Sequence, residues 1–202
     1  MKRIQFILFL LVISILSFWC SSAFAYRVKK TKDGKIIKWT TNTVTYYVNT
    51  SGGPAGSLAA IQAATQTWTD VPTSSFRFVY GGHTSSTKHN PKDGVNIIYF
   101  RTLGNKAKAA RNFVQWNESG ELYDSDIVLN TAHKLSATDS CPKDCFDIQS
   151  AVTHELGHAL ILNELEKPIH NEKTMYREEK KGDMKKRTLD QDDIAGITYL
   201  YP

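Results

Sequence analysis

The chain is poor in cysteine, with three in 202 residues, which excludes the small secreted scaffolds whose folds hang on a dense disulfide framework. Past residue 25 it has no apolar stretch near the roughly 20 residues that a membrane helix requires, and no internal repeat. Strong charge of one sign is also missing. Lys and Arg number 25 against 20 Asp and Glu, a formal +5; two of those cations, Lys2 and Arg3, belong to the leader described next, so the remainder stands at +3. That is too mild to imply a nucleic-acid partner. The basic residues cluster at Lys180, Lys181, Lys185, Lys186 and Arg187, but Glu178, Glu179 and Asp183 interleave with them and aromatics do not, so the segment reads as a solvated loop.

What is present begins with a secretory leader over residues 1–25: Lys2 and Arg3, an apolar run from Ile4 to Trp19, and Ala23-Phe24-Ala25 as a small-x-small cleavage site. The expectation is export, with cleavage near Ala25 and no stable membrane insertion afterwards. Residues 26–202 are one domain's length of chain, enough for a single core without staples. Cys20 falls inside the leader. Cys141 and Cys145, flanking Pro142-Lys143-Asp144, read in an exported protein as a short disulfide loop that shapes the entry to the helix following it.

Residues 44–48 alternate and are rich in β-branched and aromatic side chains, the pattern of a strand. Residues 55–69 place Leu58, Ile61, Ala64 and Trp68 at helical spacing. Residues 76–80, 95–100, 110–116 and 122–129 read as further strands, the last two joined by a turn at 117–121. A polar loop at 81–94 holds His83 and His89, whose use as a second, structural zinc site is left open, as is structural calcium.

Residues 154–158 read His-Glu-Leu-Gly-His. On a helix His154 and His158 lie one turn apart on the same face, so two imidazoles can close on one Zn²⁺, with Glu155 within reach of a metal-bound water. The apolar positions Ile148, Ala151, Val152, Leu156, Ala159 and Leu160 suit a helix buried on one face, and Asp147 stands where an N-cap belongs. Zinc lowers its water's pKa to about 7, so Glu155 can act as general base at neutral pH.

HELGHALIL at 154–162, Thr174-Met175-Tyr176 and the run from Leu189 to Ile197 occur in the order and rough spacing of the matrixin branch of the metzincins. Trp39 with Thr43–Asn49, Phe76-Arg77-Phe78 and Ser125–Asn130 extend that resemblance over residues 39–202. It implies an α+β, zincin-type fold: a twisted five-stranded mixed sheet, an active-site helix, a Met-turn at Met175 and Tyr176, and a C-terminal helix. It implies a secreted zinc endopeptidase, expected to be a monomer, acting on extracellular protein or peptide substrates. By position, the edge strand that grips substrate main chain would be Asn112, Phe113, Val114 and Gln115. No propeptide cysteine of the kind that silences matrixin zymogens is present, so the expectation is a mature enzyme active on export or controlled from outside this chain.

The chain departs from the metzincin pattern HExxHxxGxxH at two positions, with Ile161 for Gly and Glu164 for the third His. A continuing helix would carry Glu164 about 120° away from the two imidazoles. A break is therefore expected near Leu162-Asn163, since Ile161 disfavours the left-handed conformation and Asn tolerates it. Carboxylate oxygen is an accepted zinc ligand, which makes Glu164 the first candidate and His170 the alternative, with Glu178 or Glu179 as a third reading. The competing function is a metzincin-fold binding module with an impaired catalytic site.

Overall fold

Every second residue of Thr43–Asn49 is buried at its start, and this strand, β2, has a parallel partner on either side. A two-residue strand, β1 (Lys38–Trp39), precedes it; α1 (Ser57–Thr69), β3 (Arg77–His83), β4 (Asn96–Arg101), β5 (Ala110–Trp116) and β6 (Glu121–Asn130) follow. A small parallel pair, β7 (Leu135–Ser136) with β8 (Phe146–Asp147), delivers the chain to α2 (Ile148–Ala159), and α3 (Gln191–Leu200) closes it. These elements come from a computed structural model that describes residues 25–91, 93–104 and 108–202. Almost all of the leader expected at 1–25 lies outside those residues. None of the described helices is long and apolar enough to cross a membrane.

The main sheet runs β3-β2-β4-β6-β5, with β1 added to the start of β6. All pairings are parallel except β5 with β6. The sheet is mixed, as expected, but has six strands rather than five. The sixth is β1, whose Trp39 is anchored from elsewhere: its indole donates to the Ala159 carbonyl at 2.9 Å and its amide donates to the Tyr201 hydroxyl at 3.0 Å.

One sheet face packs on α1 and α2. Trp68 and Ile148 are fully buried between them, and the Trp68 indole donates to the Thr153 carbonyl at 2.8 Å. That bond satisfies the polar handle of a large buried ring and locks α1 against the helix carrying the HELGH residues. The opposite face is covered by the loop after β3, where His89 stacks on Phe113 with centroids 4.1 Å apart.

Beneath that loop lies Asp124, fully buried, with no hydrogen-bond partner on either carboxylate oxygen among the described residues. Burial, then the charges of Asp126 and Asp93, push its carboxyl up to about 7. Asp126 is raised to about 6, chiefly by burial, although the amides of Ile97 and Asn90 donate to it. A carboxyl whose folded pKa exceeds its unfolded value binds its proton more tightly when folded, so stability falls as pH rises from about 4 to about 7. Asp124→Asn is therefore expected to melt at least about 3 °C above the wild type at pH 8 and close to it at pH 4.5. A lower melting point at pH 8 would contradict this account of the buried acid.

Candidate metal centre

Helix α2 starts as its sequence suggests: the Asp147 carboxylate accepts from the Ser150 amide at 2.8 Å. Arg187 holds the same carboxylate in a two-pronged ion pair, fixing the cap from outside. At the far end α2 stops after Ala159, five residues short of Glu164.

 The stop is a Schellman motif: the Leu162 amide donates to the Gly157 carbonyl and the Ile161 amide to the His158 carbonyl, each at 2.9 Å. The residue that turns left-handed is Ile161 itself, with φ 65°, alone among the non-glycine residues described. The expected break near Leu162-Asn163 is thus corrected to Ile161.

A β-branched residue in this conformation is strained by about 1–2 kcal/mol. Ile161 tolerates it because its side chain is fully buried in the main core, and burial of that size offsets the strain by about 1.5–3 kcal/mol. Alanine and glycine are therefore expected to rank here in the reverse of their helix-interior order. Ile161→Ala and Ile161→Gly both lose the core contacts, by about 2–5 kcal/mol, but only glycine is relieved of the strain. In urea unfolding the glycine variant is expected to be the more stable of the two by about 1 kcal/mol; an alanine variant at least as stable as the glycine variant would show that Ile161 is not strained.

Beyond Ile161 the chain runs extended between two other segments. On one side the Lys29 amide donates to the Ile161 carbonyl at 3.1 Å, and the Asn163 amide to the Arg27 carbonyl at 2.7 Å. On the other the Leu165 amide donates to the Met175 carbonyl at 2.8 Å, and the Arg177 amide to the Leu165 carbonyl at 3.1 Å. Backbone pairing on both sides carries Glu164 back beneath α2. One donor atom each from His154, His158 and Glu164 then lies within 4.8 Å of the others. Glu164 Oε1 stands 3.9 Å from His154 Nε2 and 3.7 Å from His158 Nε2.

Each imidazole is held from behind. His154 Nδ1 donates to the Thr174 carbonyl at 2.7 Å and His158 Nδ1 to the Leu162 carbonyl at 2.9 Å. A carbonyl can only accept, so Nδ1 carries the proton and the Nε2 lone pair faces Glu164. His154 Nε2 is buried without a hydrogen-bond partner among the described residues. Burial, and then the Lys186 ammonium, push the His154 imidazole down to about 3, which keeps it neutral. The Glu164 carboxyl, which faces both rings and is ion-paired with Lys108, is held well below the usual carboxylate range. Two imidazole nitrogens and one ionised carboxylate are a donor set that suits zinc. Ligands at about 2.0–2.2 Å from a tetrahedral ion stand roughly 3.4 Å apart, near the separations present.

Glu155 is 3% exposed, and burial raises its carboxyl. With Glu164 and His158 it lines a cleft of about 850 Å³. Met175 lies under the helix, its sulfur in the space that a Cβ on Gly157 would need, so glycine at 157 is what lets Met175 approach. The segment around Met175 is tied to α3 in turn: Asp193 accepts from the Thr174 amide at 3.2 Å and from the Asp190 amide at 3.0 Å. Asp190 is the N-cap, with Asp193 closing the capping box.

A family model described as Matrixin matches residues 38–202. The chain belongs to the matrixin family. A search of curated proteins found no match to it. Membership in the matrixins, a family of zinc metalloproteases, implies a catalytic zinc, and in this matrixin the family's glycine and third histidine positions are Ile161 and Glu164.

Other residues of the matrixin fall out differently from expectation. His170 sits in a 3-10 turn, Pro168–His170, outside the donor group, as do Glu178 and Glu179. His83 and His89 do not converge either: His83 meets Tyr80 edge-on while His89 stacks on Phe113. Cys141 and Cys145 are free thiols, so the expected disulfide is not formed. The Cys141 sulfur is turned to the Cys145 carbonyl, and the Cys145 sulfur to the Asp144 carboxylate. Of the expected edge strand, Asn112 donates to the Glu155 carbonyl at 2.7 Å and Val114 lines the cleft, whereas Phe113 faces the other side of the sheet against His89. The basic run is not uniformly solvated. Lys186 is 4% exposed and reaches the Tyr176 carbonyl, and burial lowers its ammonium to about 8. Nothing in its local sequence distinguishes it from Lys185; it is buried because the 3-10 turn Lys185–Arg187 packs against α2.

Proposed function

We propose that this chain is a secreted endopeptidase that hydrolyses peptide bonds in extracellular proteins or peptides, with His154, His158 and Glu164 holding one zinc. The observation that carries the reading is the convergence of two Nδ1-anchored imidazoles and a carboxylate beside a buried glutamate, with His158, Glu164 and Glu155 at the wall of one cleft. Zinc bound there would supply Lewis acidity, lowering the pKa of a coordinated water to about 7 and polarising a carbonyl.

The chain's own residues supply the rest. Glu155 takes a proton from the attacking water and passes it to the leaving amine; its burial, which raises the carboxyl, brings its basicity closer to that of a proton shuttle at neutral pH. Met175 and Tyr176 form the Met-turn, an apolar floor under the ligands. The edge of β5 pairs with no other strand among the described residues, so its free N–H and C=O groups at Asn112–Gln115 can hold an extended substrate by strand addition. Main-chain recognition of this kind leaves side-chain preference to the cleft walls.

The test is direct. Purified protein supplied with zinc is expected to degrade casein, and chelation is expected to abolish that activity. A protein that binds zinc one to one and cleaves neither casein nor unstructured peptides would contradict the reading. One observation favours a second reading, a binding module whose centre stays closed: the Lys108 ammonium is ion-paired with Glu164, competing for the carboxylate. On that reading the protein takes up no zinc at micromolar metal, and Lys108→Ala restores uptake.

A further inference from the structure

The cleft beside the centre is lopsided in charge. Arg27, Lys29, Lys108 and Arg111 line it together with three carboxylates, Glu155, Glu164 and Glu166. Glu155 and Glu164 belong to the centre, and Lys108 is spent on Glu164. Arg111 turns its guanidinium to Phe113 on the other face of the sheet, so Arg27 and Lys29 remain against Glu166. Among the described residues no carboxylate lies within ion-pair distance of Arg27 or Lys29.

These two groups are also held in place. The Arg27 backbone is pinned by Asn163, and its guanidinium donates to the Glu164 carbonyl at 3.3 Å. Lys29 is fixed through its amide on Ile161, and its ammonium rests 5.8 Å from the centre of the Trp116 ring. A cation resting on an aromatic face keeps its charge and its free N–H donors while losing little entropy on binding. Residues 27–29 form one wall and β5 the other, so an extended peptide laid along β5 sends alternate side chains toward cations.

We infer that this cleft selects peptide segments carrying Asp or Glu side chains close to the bond to be cut, with Arg27 and Lys29 receiving the carboxylates. The inference rests on the endopeptidase reading and narrows its substrate class. A peptide is favoured over other polyanions because one wall is a strand edge, whose groups match a peptide main chain, and because the Trp116 ring beside the cleft already carries the Lys29 ammonium and is not free to stack on bases.

The test uses the full-length mature protein carrying Glu155→Gln, so that binding is read without turnover. Fluorescence anisotropy is measured with eight-residue peptides bearing two Glu, two Gln or two Lys around an otherwise constant sequence, and with an octathymidylate. The Glu peptide is expected to bind about 10-fold more tightly than the Gln peptide at low salt, at about two- to fivefold per exposed charge pair, and to lose most of that advantage in 0.5 M NaCl. Arg27→Gln and Lys29→Gln are each expected to cut the preference about two- to fivefold, whereas Lys35→Gln, an exposed lysine outside the cleft, leaves it unchanged. Equal binding of the Glu and Gln peptides overturns the inference; so does an octathymidylate that binds as well as the Glu peptide, which marks a general polyanion surface. Casein cleavage by the unmutated enzyme separates the two claims. Cleavage without an acidic preference defeats only this inference, and an acidic preference in a protein that cleaves nothing defeats only the endopeptidase reading.

Discussion

Glu155→Gln should keep its zinc and lose its activity. Glutamine preserves the shape of the side chain, so the packing of α2 and the two imidazoles is undisturbed, and the Asn112 bond is made to the backbone carbonyl of residue 155 and survives the change. What disappears is a group able to accept a proton from water and return it to an amine. General acid–base contributions of this kind are worth about 10²–10⁴-fold, and kcat/KM for an unstructured peptide is expected to fall within or beyond that range with metal content unchanged. The acid limb of the pH profile checks the same residue. Because burial raises the Glu155 carboxyl, activity should rise with pH through a value above that of a free glutamate. Activity within 10-fold of the unmutated protein would remove Glu155 from the mechanism.

Glu164→Ala should weaken zinc binding by at least about 100-fold, exceeding the 10- to 100-fold that loss of a group supporting a ligand costs, while His170→Ala should leave it unchanged. Removing Glu164 leaves two imidazoles, which face each other on one helix and cannot surround an ion. His170 stands apart in its 3-10 turn, outside the donor group. Competition titration with a chromophoric chelator measures both. If His170→Ala is the variant that loses metal, the segment after Ile161 must rearrange when zinc arrives, and the carboxylate is not the third ligand.

Much of the architecture could be read from residue spacing. The alternation at Val44–Val48 marked β2, and Ala110–Trp116 marked β5 to the residue. Asp147 identified the start of α2, because a cap is a local interaction between residues three apart. The HELGH spacing placed two imidazoles on one face for the same reason. What could not be read depends on contacts distant in sequence. Local preference argues against a left-handed Ile161, and only its burial in the main core reverses that preference. The path of Glu164 is set by pairing with residues 27–29 and 175–177, neither of which leaves a mark at position 164. The same applies to β1, which is a strand because Trp39 is anchored to Ala159 and Tyr201. Lys186, in a run that looks solvated, is buried by the packing of its turn against α2. For Cys141 and Cys145 close spacing was a poor guide, since each thiol has a different oxygen to face.

The central claim is that two imidazoles from one helix and a carboxylate from beyond its end meet at a single zinc. X-ray absorption at the zinc edge, on purified protein carrying the metal, tests it most directly. The expected spectrum fits one zinc per chain with two imidazole nitrogens and a carboxylate oxygen at about 2.0–2.2 Å. A shell of three imidazoles, or a protein that takes up no zinc, would contradict it.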